Sequence, residues 1–217
     1  NRIGATVHGT NGEYAPLMFD GGNKLYGIDF VLPVASAQLK SCMLLAGLFS
    51  EQEVKVYEKE ISRDHTERML GIKAEASAME GTLHYLQTSN RTNVPNMSGH
   101  IPADFSAAAF WLVAGAIHPD AEIIIPKVGM NLTRNAALKV LQRMGASIEI
   151  RDIPSKGEPL ADLVVKSSSL NATTIEAEEM AILIDEIPVL SIAMACADGV
   201  SEVRGAEELR HKETDRI

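Results

Sequence analysis

The sequence predicts an α/β fold in which a unit of strands and helices is repeated along the chain. Apolar–Gly–apolar junctions of the kind that end helices occur at Gly4, Gly71 and Gly145. Segments that begin with a polar residue and are apolar on nearly all sides predict core helices at 36–49, 104–117 and 185–197. Because both features recur in the same order, an internal repeat of about 70 to 80 residues explains them better than chance does.

Short strands are predicted on both sides of these helices. Alternating segments after the glycine junctions predict a strand, a turn and a second strand at 6–18, 73–87 and 147–165. Turn residues interrupt each segment, at Gly9 and Gly12, at Gly81 and at 154–157. A further β-rich segment follows each core helix, at 54–57, 122–125 and 201–204.

A second type of helix is predicted after each of these last strands, with starts near 63–67, 131–134 and 212–215. Asp64 and Glu67 have the spacing of a capping box. Residues 133–144 predict an amphipathic helix whose apolar face is formed by Ala137, Val140, Leu141 and Met144. The predicted unit is therefore strand, helix, strand, helix, strand, strand.

Composition limits the function classes. A chain of 217 residues with 46% apolar residues can form one large or two small domains with sizeable cores. A net charge of -9 at pH 7 argues against nucleic-acid and membrane-surface binding, which both need a basic face. The longest apolar run, 105–117, is too short to span a bilayer. We expect a soluble cytoplasmic protein.

The two cysteines are predicted to be structural. Cys42 and Cys196 lie inside apolar runs, with no histidine or cysteine at metal-ligand spacing. Buried reduced thiols explain this placement better than a disulfide or a zinc site does.

The most polar stretch is 207–216, which carries charges of both signs after a long apolar run. It is compatible with a solvated helix start, where acidic residues face the positive end of the helix dipole. It is equally compatible with an anion site, in which Lys212 and Arg216 hold an acidic substrate and Glu213 transfers a proton.

Six segments, in order and spread over nearly the whole chain, resemble the EPSP synthase family (3-phosphoshikimate 1-carboxyvinyltransferases). They are ASAQLKS at 35–41, RDHTE at 63–67, PADFS at 102–106, NLTR at 131–134, IDEIP at 184–188 and ELRHKETDR at 208–216. The resemblance implies an inside-out α/β barrel fold, with two domains built from βαβαββ units, which agrees with the repeat. It also implies a middle fragment of a longer protein, with 1–100 finishing the first domain and 101–217 beginning the second.

The reaction that the resemblance implies is transfer of the enolpyruvyl group of phosphoenolpyruvate to the 5-hydroxyl of shikimate 3-phosphate. It implies addition followed by elimination, with no metal and no organic cofactor. Asp185 matches the proton acceptor at the hydroxyl, and Glu213 matches the acid proposed to protonate the methylene carbon. Without the family, Asp185 would be interpreted as the N-cap of a helix that begins near Pro188.

Substrate-binding roles are implied in the same way. Ser36, Ala37, Gln38, Arg63, Asp185 and Lys212 match positions that hold shikimate 3-phosphate; Gln38 and Arg216 match positions at phosphoenolpyruvate. Without the family, the segment at 36–38 would be a helix cap beside a solvated glutamine, and Arg63 would be a surface charge. Other cationic groups of the family do not occur in this chain, so we expect the chain alone to turn over negligibly. We expect the full-length protein to be a monomer.

Two alternatives stay open. A UDP-N-acetylglucosamine 1-carboxyvinyltransferase would share the fold and phosphoenolpyruvate, although its nucleotide-sugar motifs and reactive cysteine loop are not recognisable. A non-catalytic repeat scaffold would keep the charge pattern without the chemistry.

Overall fold

The computed structural model describes residues 2–12, 14–96, 98–211 and 214–217. The chain divides into two compact units, Asn1–Met97 and Ser98–Ile217. Lys212 and Glu213 lie outside the described residues. The assignment of 1–100 and 101–217 to two family domains stays a prediction.

Unit 1 contains a hairpin and a four-stranded sheet. The hairpin is formed by β1 (Thr6–Thr10) and β2 (Tyr14–Asp20). The sheet has the order β3-β4-β6-β5, with β3 (Ile28–Val31), β4 (Val54–Glu58), β5 (Glu75–Ala76) and β6 (His84–Thr88). Strands β3 and β4 are parallel, because helix α1 (Ala37–Gly47) connects them; α2 (His65–Leu70) follows β4.

Helix α1 packs on the sheet of unit 1 through Gly47 and Leu44. Ser36 caps its start, where Oγ accepts a hydrogen bond from the Leu39 amide at 3.3 Å. Near its end, a Cβ at Gly47 would lie 2.1 Å from Thr88 Oγ1, so only glycine allows this approach to β6. Leu44 is fully buried beside it, in a core with Val54, Val56 and Leu86.

Unit 2 repeats this plan. Ala103 forms a parallel bridge with Val128, and then follow α3 (Phe105–Ile117), β7 (Glu122–Gly129), α4 (Ala136–Arg143), β8 (Ser147–Ile153) and β9 (Leu160–Lys166). The sheet order β7-β9-β8 matches β4-β6-β5 of unit 1. The predicted unit of strand, helix, strand, helix, strand, strand is therefore confirmed in unit 1, and in unit 2 with the isolated bridge at Ala103 in place of the first strand. The described strands form no closed barrel.

A third unit begins in the same way. Strands β10 (Thr174–Ile175) and β11 (Glu202–Val203) are parallel, and α5 (Met180–Leu183) and α6 (Ile187–Ala195) lie between them. Short 3-10 turns occupy Ala177–Glu179 and Glu207–His211. The core of unit 2 joins α3, α4 and α6, with Leu112, Leu141 and Leu190 all fully buried.

The prediction that both cysteines are buried is wrong. Cys42 in α1 and Cys196 after α6 are exposed free thiols. The physical reason is that each apolar helix is covered on one face and open on another. Phe110 and Trp111 of α3 are likewise exposed, at 58% and 60%. A helix that is apolar on every side gives no signal about which side is covered.

Two absences hold for the described residues. No helix among them is both long and apolar enough to cross a bilayer. No group of three or more histidine, cysteine, aspartate or glutamate side chains is arranged to hold a metal ion within the same part of the chain.

Candidate functional site

The predicted phosphate-binding residues of unit 1 lie at the start of α1. Ser36 is the N-cap, Ala37 is the first helical residue, and Gln38 is exposed in the first turn. This first turn contains no acidic residue. Amide groups and the positive end of the helix dipole are therefore available for an anion.

Arg63 lies near the same end of unit 1, because contacts between α1 and α2 hold the start of α2 there. The Ser41 and Thr66 hydroxyls lie 2.6 Å apart, and Lys40 Nζ lies 2.6 Å from Glu67 Oε1. These contacts join the second turn of α1 to the first turn of α2. Arg63 is exposed and lies two residues before α2.

The capping box predicted for α2 is wrong. Asp64 occupies the N-cap position but makes no side-chain cap hydrogen bond. Its carboxylate instead accepts a hydrogen bond from Arg68 Nε at 2.9 Å, while Glu67 turns inward to Lys40. Ion pairing has replaced both halves of the box.

A buried charge network, which the sequence analysis did not predict, supports this end of unit 1. Lys40 and Glu58 are each 1% exposed, and Lys40 Nζ lies 3.1 Å from Glu58 Oε2. Glu58 also accepts a hydrogen bond from the Ser62 hydroxyl at 2.6 Å and lies 2.9 Å from His84 Nε2. A lysine inside an otherwise apolar core helix was the signal in the sequence, since a buried ammonium group needs carboxylate partners.

In unit 2 the structure brings two of the predicted residues together. Arg216 Nη1 lies 3.5 Å from Asp185 Oδ1. The Arg216 amide donates to the Leu209 carbonyl at 3.1 Å, and Leu209 is buried in the core, which fixes the segment that carries the arginine. Lys212 and Glu213 lie outside the described residues, so their predicted roles stay predictions.

A second arginine, Arg134, also pairs with Asp185, although the sequence did not predict it as a site residue. Arg134 Nη1 lies 3.7 Å from Asp185 Oδ2. The same guanidinium lies 2.9 Å from Asp104 Oδ1 and donates to Ser106 Oγ at 2.7 Å. Ser106 in turn donates to the buried carboxylate of Glu186. We call Asp104, Ser106, Arg134, Asp185, Glu186 and Arg216 the Asp185 cluster.

Helix starts position the Asp185 cluster. Asp104 caps α3, where Oδ2 accepts from the Ala107 amide at 3.1 Å. The interpretation of Asp185 as the N-cap of α6 is wrong, because Glu186 occupies that position and Asp185 precedes it. Pro188 stands in the first turn of α6, as predicted. Asp185, one residue before the cap, pairs with the two arginines.

The Asp185 cluster can hold acidic molecules and accept a proton. A guanidinium group suits carboxylate or phosphate oxygens, which it binds in pairs, and Arg216 places one beside Asp185. The Asp185 side chain is 32% exposed, so that its carboxylate is accessible to a ligand. The cluster thus places a carboxylate that can accept a proton beside a guanidinium that can bind an anion.

The fold is that of the enolpyruvyl transferases. EPSP synthase from Acinetobacter baumannii superposes on 100% of this chain with a TM-score of 0.86 at 38% identity, and the match covers 49% of that protein. The enolpyruvyl transferase NikO from Streptomyces tendae matches 93% of this chain and 49% of its own, with a TM-score of 0.61 at 16% identity, which is a likeness of fold alone. The predicted fold class is confirmed.

Sequence comparison identifies the family. The model for EPSP synthase (3-phosphoshikimate 1-carboxyvinyltransferase) matches residues 1–217, and this chain belongs to that family. It is 47% identical over 220 residues to a 3-phosphoshikimate 1-carboxyvinyltransferase of Chloroflexus aurantiacus, covering 99% of this chain and 50% of the relative. One from Carboxydothermus hydrogenoformans is 47% identical, with coverage of 95% and 48%. The chain spans about half the length of these relatives.

Proposed function

We propose that this chain carries part of the active site of a 3-phosphoshikimate 1-carboxyvinyltransferase. The reaction would join the enolpyruvyl group of phosphoenolpyruvate to the 5-hydroxyl of shikimate 3-phosphate and release phosphate. The observation that carries the proposal is Asp185, held between Arg134 and Arg216 in a chain of this family. Because the chain spans half of its relatives, the activity is proposed for a protein of full family length that contains it.

In this proposal unit 1 binds the phosphorylated ring. Ser36 and Ala37, at the start of α1, would bind the phosphate of shikimate 3-phosphate, and the guanidinium group of Arg63 would add a positive charge. Gln38 would lie along the ring and toward phosphoenolpyruvate. The absence of an acidic side chain from the first turn of α1 supports this assignment, because a carboxylate there would repel the phosphate. Lys212 is proposed on the phosphate side as well.

Unit 2 would carry out the proton transfers. Asp185 would take the proton of the 5-hydroxyl as that oxygen bonds to C2 of phosphoenolpyruvate, while Glu213 would give a proton to the methylene carbon. The tetrahedral product would then lose phosphate and a proton from the new methyl group, which restores the double bond. Arg216 would bind phosphoenolpyruvate, a role that its short distance to the reacting carboxylate supports.

Further features of the proposed protein follow from charge and family. We propose that units 1 and 2 belong to the two domains of the enzyme. We also propose that the protein is a cytoplasmic monomer. We further propose that it binds neither nucleic acid nor a membrane surface, and the net charge of -9 supports this last proposal.

Calorimetry and turnover of the full-length protein test the proposal. We expect shikimate 3-phosphate to bind, and phosphoenolpyruvate to bind more tightly in its presence. Asp185→Asn should keep the first binding event and lower turnover at least about a hundredfold. The matched control is Asp198→Asn, an exposed aspartate beyond α6, which should leave turnover unchanged.

The alternatives give different results. Binding of a UDP-amino sugar in place of shikimate 3-phosphate would indicate the related cell-wall enzyme. An absence of heat with every ligand would favour a non-catalytic scaffold. Normal turnover in Asp185→Asn would remove Asp185 as the proton acceptor.

A further inference from the structure

Arg134 contacts three side chains around the proposed reaction centre, those of Asp104, Ser106 and Asp185. It lies just before α4, and its side chain is 15% exposed. One guanidinium reaches the start of α3, through Asp104 and Ser106, and the residue before the α6 cap, through Asp185. It therefore ties together the starts of two core helices at the point where the proposed base lies.

Two routes connect Arg134 to the Asp185–Glu186 pair. The direct route is the 3.7 Å ion pair between Arg134 Nη1 and Asp185 Oδ2. The indirect route passes through Ser106, whose hydroxyl accepts from Arg134 Nη2 and donates to Glu186. Glu186 is 3% exposed, so the hydrogen bond from Ser106 offsets part of the cost of burying its carboxylate and connects Arg134 to the residue next to Asp185.

We propose that Arg134 is a positioning residue that fixes the direction of the Asp185 carboxylate and stays beside it as a constant positive charge. The inference rests on the proposed function of Asp185. Arg216 is proposed to bind phosphoenolpyruvate and would then face the substrate. Arg134 is anchored by Asp104 and Ser106, so its guanidinium keeps its place when Arg216 is engaged.

The charges around Asp185 determine the expected effect. Arg134 faces it from the turn before α4, and Arg216 faces it from the segment after Leu209. Glu186, the N-cap of α6, is the next residue in the chain. Asp104 of α3 lies on the far side of Arg134. Lys212 and Glu213 lie outside the described residues. Removing Arg134 thus removes one of two described cations and leaves three carboxylates, which favours the protonated form of the base.

The test uses the full-length protein with Arg134→Met and Arg134→Lys, and Arg143→Met as the matched control. Arg143 ends α4 and pairs with Glu179, away from the cluster. In Arg134→Met we expect kcat to fall about ten- to a hundredfold, because the base is misdirected. The acid limb of the kcat/KM profile should move to higher pH, because the positive charge of Arg134 favours the ionised form of the base. Neither KM should change more than about threefold, because Arg134 is not proposed to touch substrate.

Arg134→Lys separates charge from geometry. The lysine keeps the positive charge but lacks the planar fork, in which Nη2 reaches Asp104 and Ser106 while Nη1 reaches Asp185. We expect its acid limb to stay at the position of the unchanged protein while kcat falls severalfold. If Arg134→Met fails to fold, Arg134→Lys still tests the proposal, because an unchanged kcat in Arg134→Lys would contradict the positioning role.

Other outcomes would overturn the inference. A lowered kcat in Arg134→Met with an unmoved acid limb would mean that Arg134 is structural only. A comparable shift in Arg143→Met would mean that any lost arginine has the effect. Loss of turnover in Asp185→Asn together with an unmoved profile in Arg134→Met would refute this inference alone, whereas full turnover in Asp185→Asn would refute the proposed function.

Discussion

Replacing Lys40 by methionine should destabilise unit 1 by about 3 kcal/mol. Lys40 Nζ lies 3.1 Å from Glu58 and 2.6 Å from Glu67, whose side chains are almost fully buried. Methionine fills the volume and removes the charge, which leaves two buried carboxylates without their shared cation. Removing one partner from a buried ion pair costs about 3 to 5 kcal/mol.

The lower end of that range applies because the two carboxylates do not lose equally. Glu58 keeps the Ser62 hydroxyl and the contact with His84. Glu67 Oε2 accepts no hydrogen bond from the described residues, so Lys40 is the main partner that this side chain loses. Most of the destabilisation should therefore come from Glu67.

Hydrogen–deuterium exchange of the 217-residue chain measures the effect in each unit separately. A loss of 3 kcal/mol corresponds to about 150-fold faster exchange of protected amides in α1 and β4. Amides of α3 and the fluorescence of Trp111 report unit 2 and should be unchanged. Lys73→Met, which removes an exposed lysine of unit 1, is the matched control.

A rescue experiment identifies the charge as the cause. Adding Glu58→Gln and Glu67→Gln to Lys40→Met removes the uncompensated charges, and most of the lost protection should return. If Lys40→Met exchanged within about threefold of the unchanged chain, the buried network would contribute little, and the argument that it fixes the starts of α1 and α2 would fail.

Three further predictions concern single side chains. Arg216→Ala in the full-length protein should raise KM for phosphoenolpyruvate, and an unchanged KM would contradict its binding role. Lys127 has a φ of 54°, so Lys127→Asn should stabilise the chain to urea by about 0.5 to 1 kcal/mol, whereas Lys156→Asn, in a turn without such a φ, should not. The Arg143 guanidinium lowers the pKa of Glu179, so this carboxyl contributes stability above its unfolded pKa that is lost as pH falls through the folded one. Glu179→Gln should cost about 0.5 kcal/mol at pH 7, and the difference should disappear once the pH has fallen below the folded pKa of Glu179; a difference that stays equal in acid would refute the pair.

The sequence predicted the order of elements because glycine ends and apolar periods are local signals. Gly71 and Gly145 do take left-handed conformations beside helix ends, and Val140 and Leu141 do form the buried face of α4. The exposure of Cys42 could not be predicted, since it depends on which side of α1 meets the sheet. The contacts of Arg134 with residues 28 or more positions away were not predicted either, because sequence spacing carries no signal for such distant pairs.

In both units an ion pair joins the starts of two helices, but the positions of the cation and the carboxylate are reversed. In each, the start of a core helix lies near the start of the helix that follows, and two positive dipole ends in proximity repel. Unit 1 joins them with the cation on the core helix and the carboxylate on the second, through Lys40 and Glu67. Unit 2 has the carboxylate of Asp104 at its core helix and the cation, Arg134, before the second. The reversal has a chemical consequence: the cation is buried beneath the helix starts in unit 1, but in unit 2 it stands beside Asp185, where it can act on the proposed base.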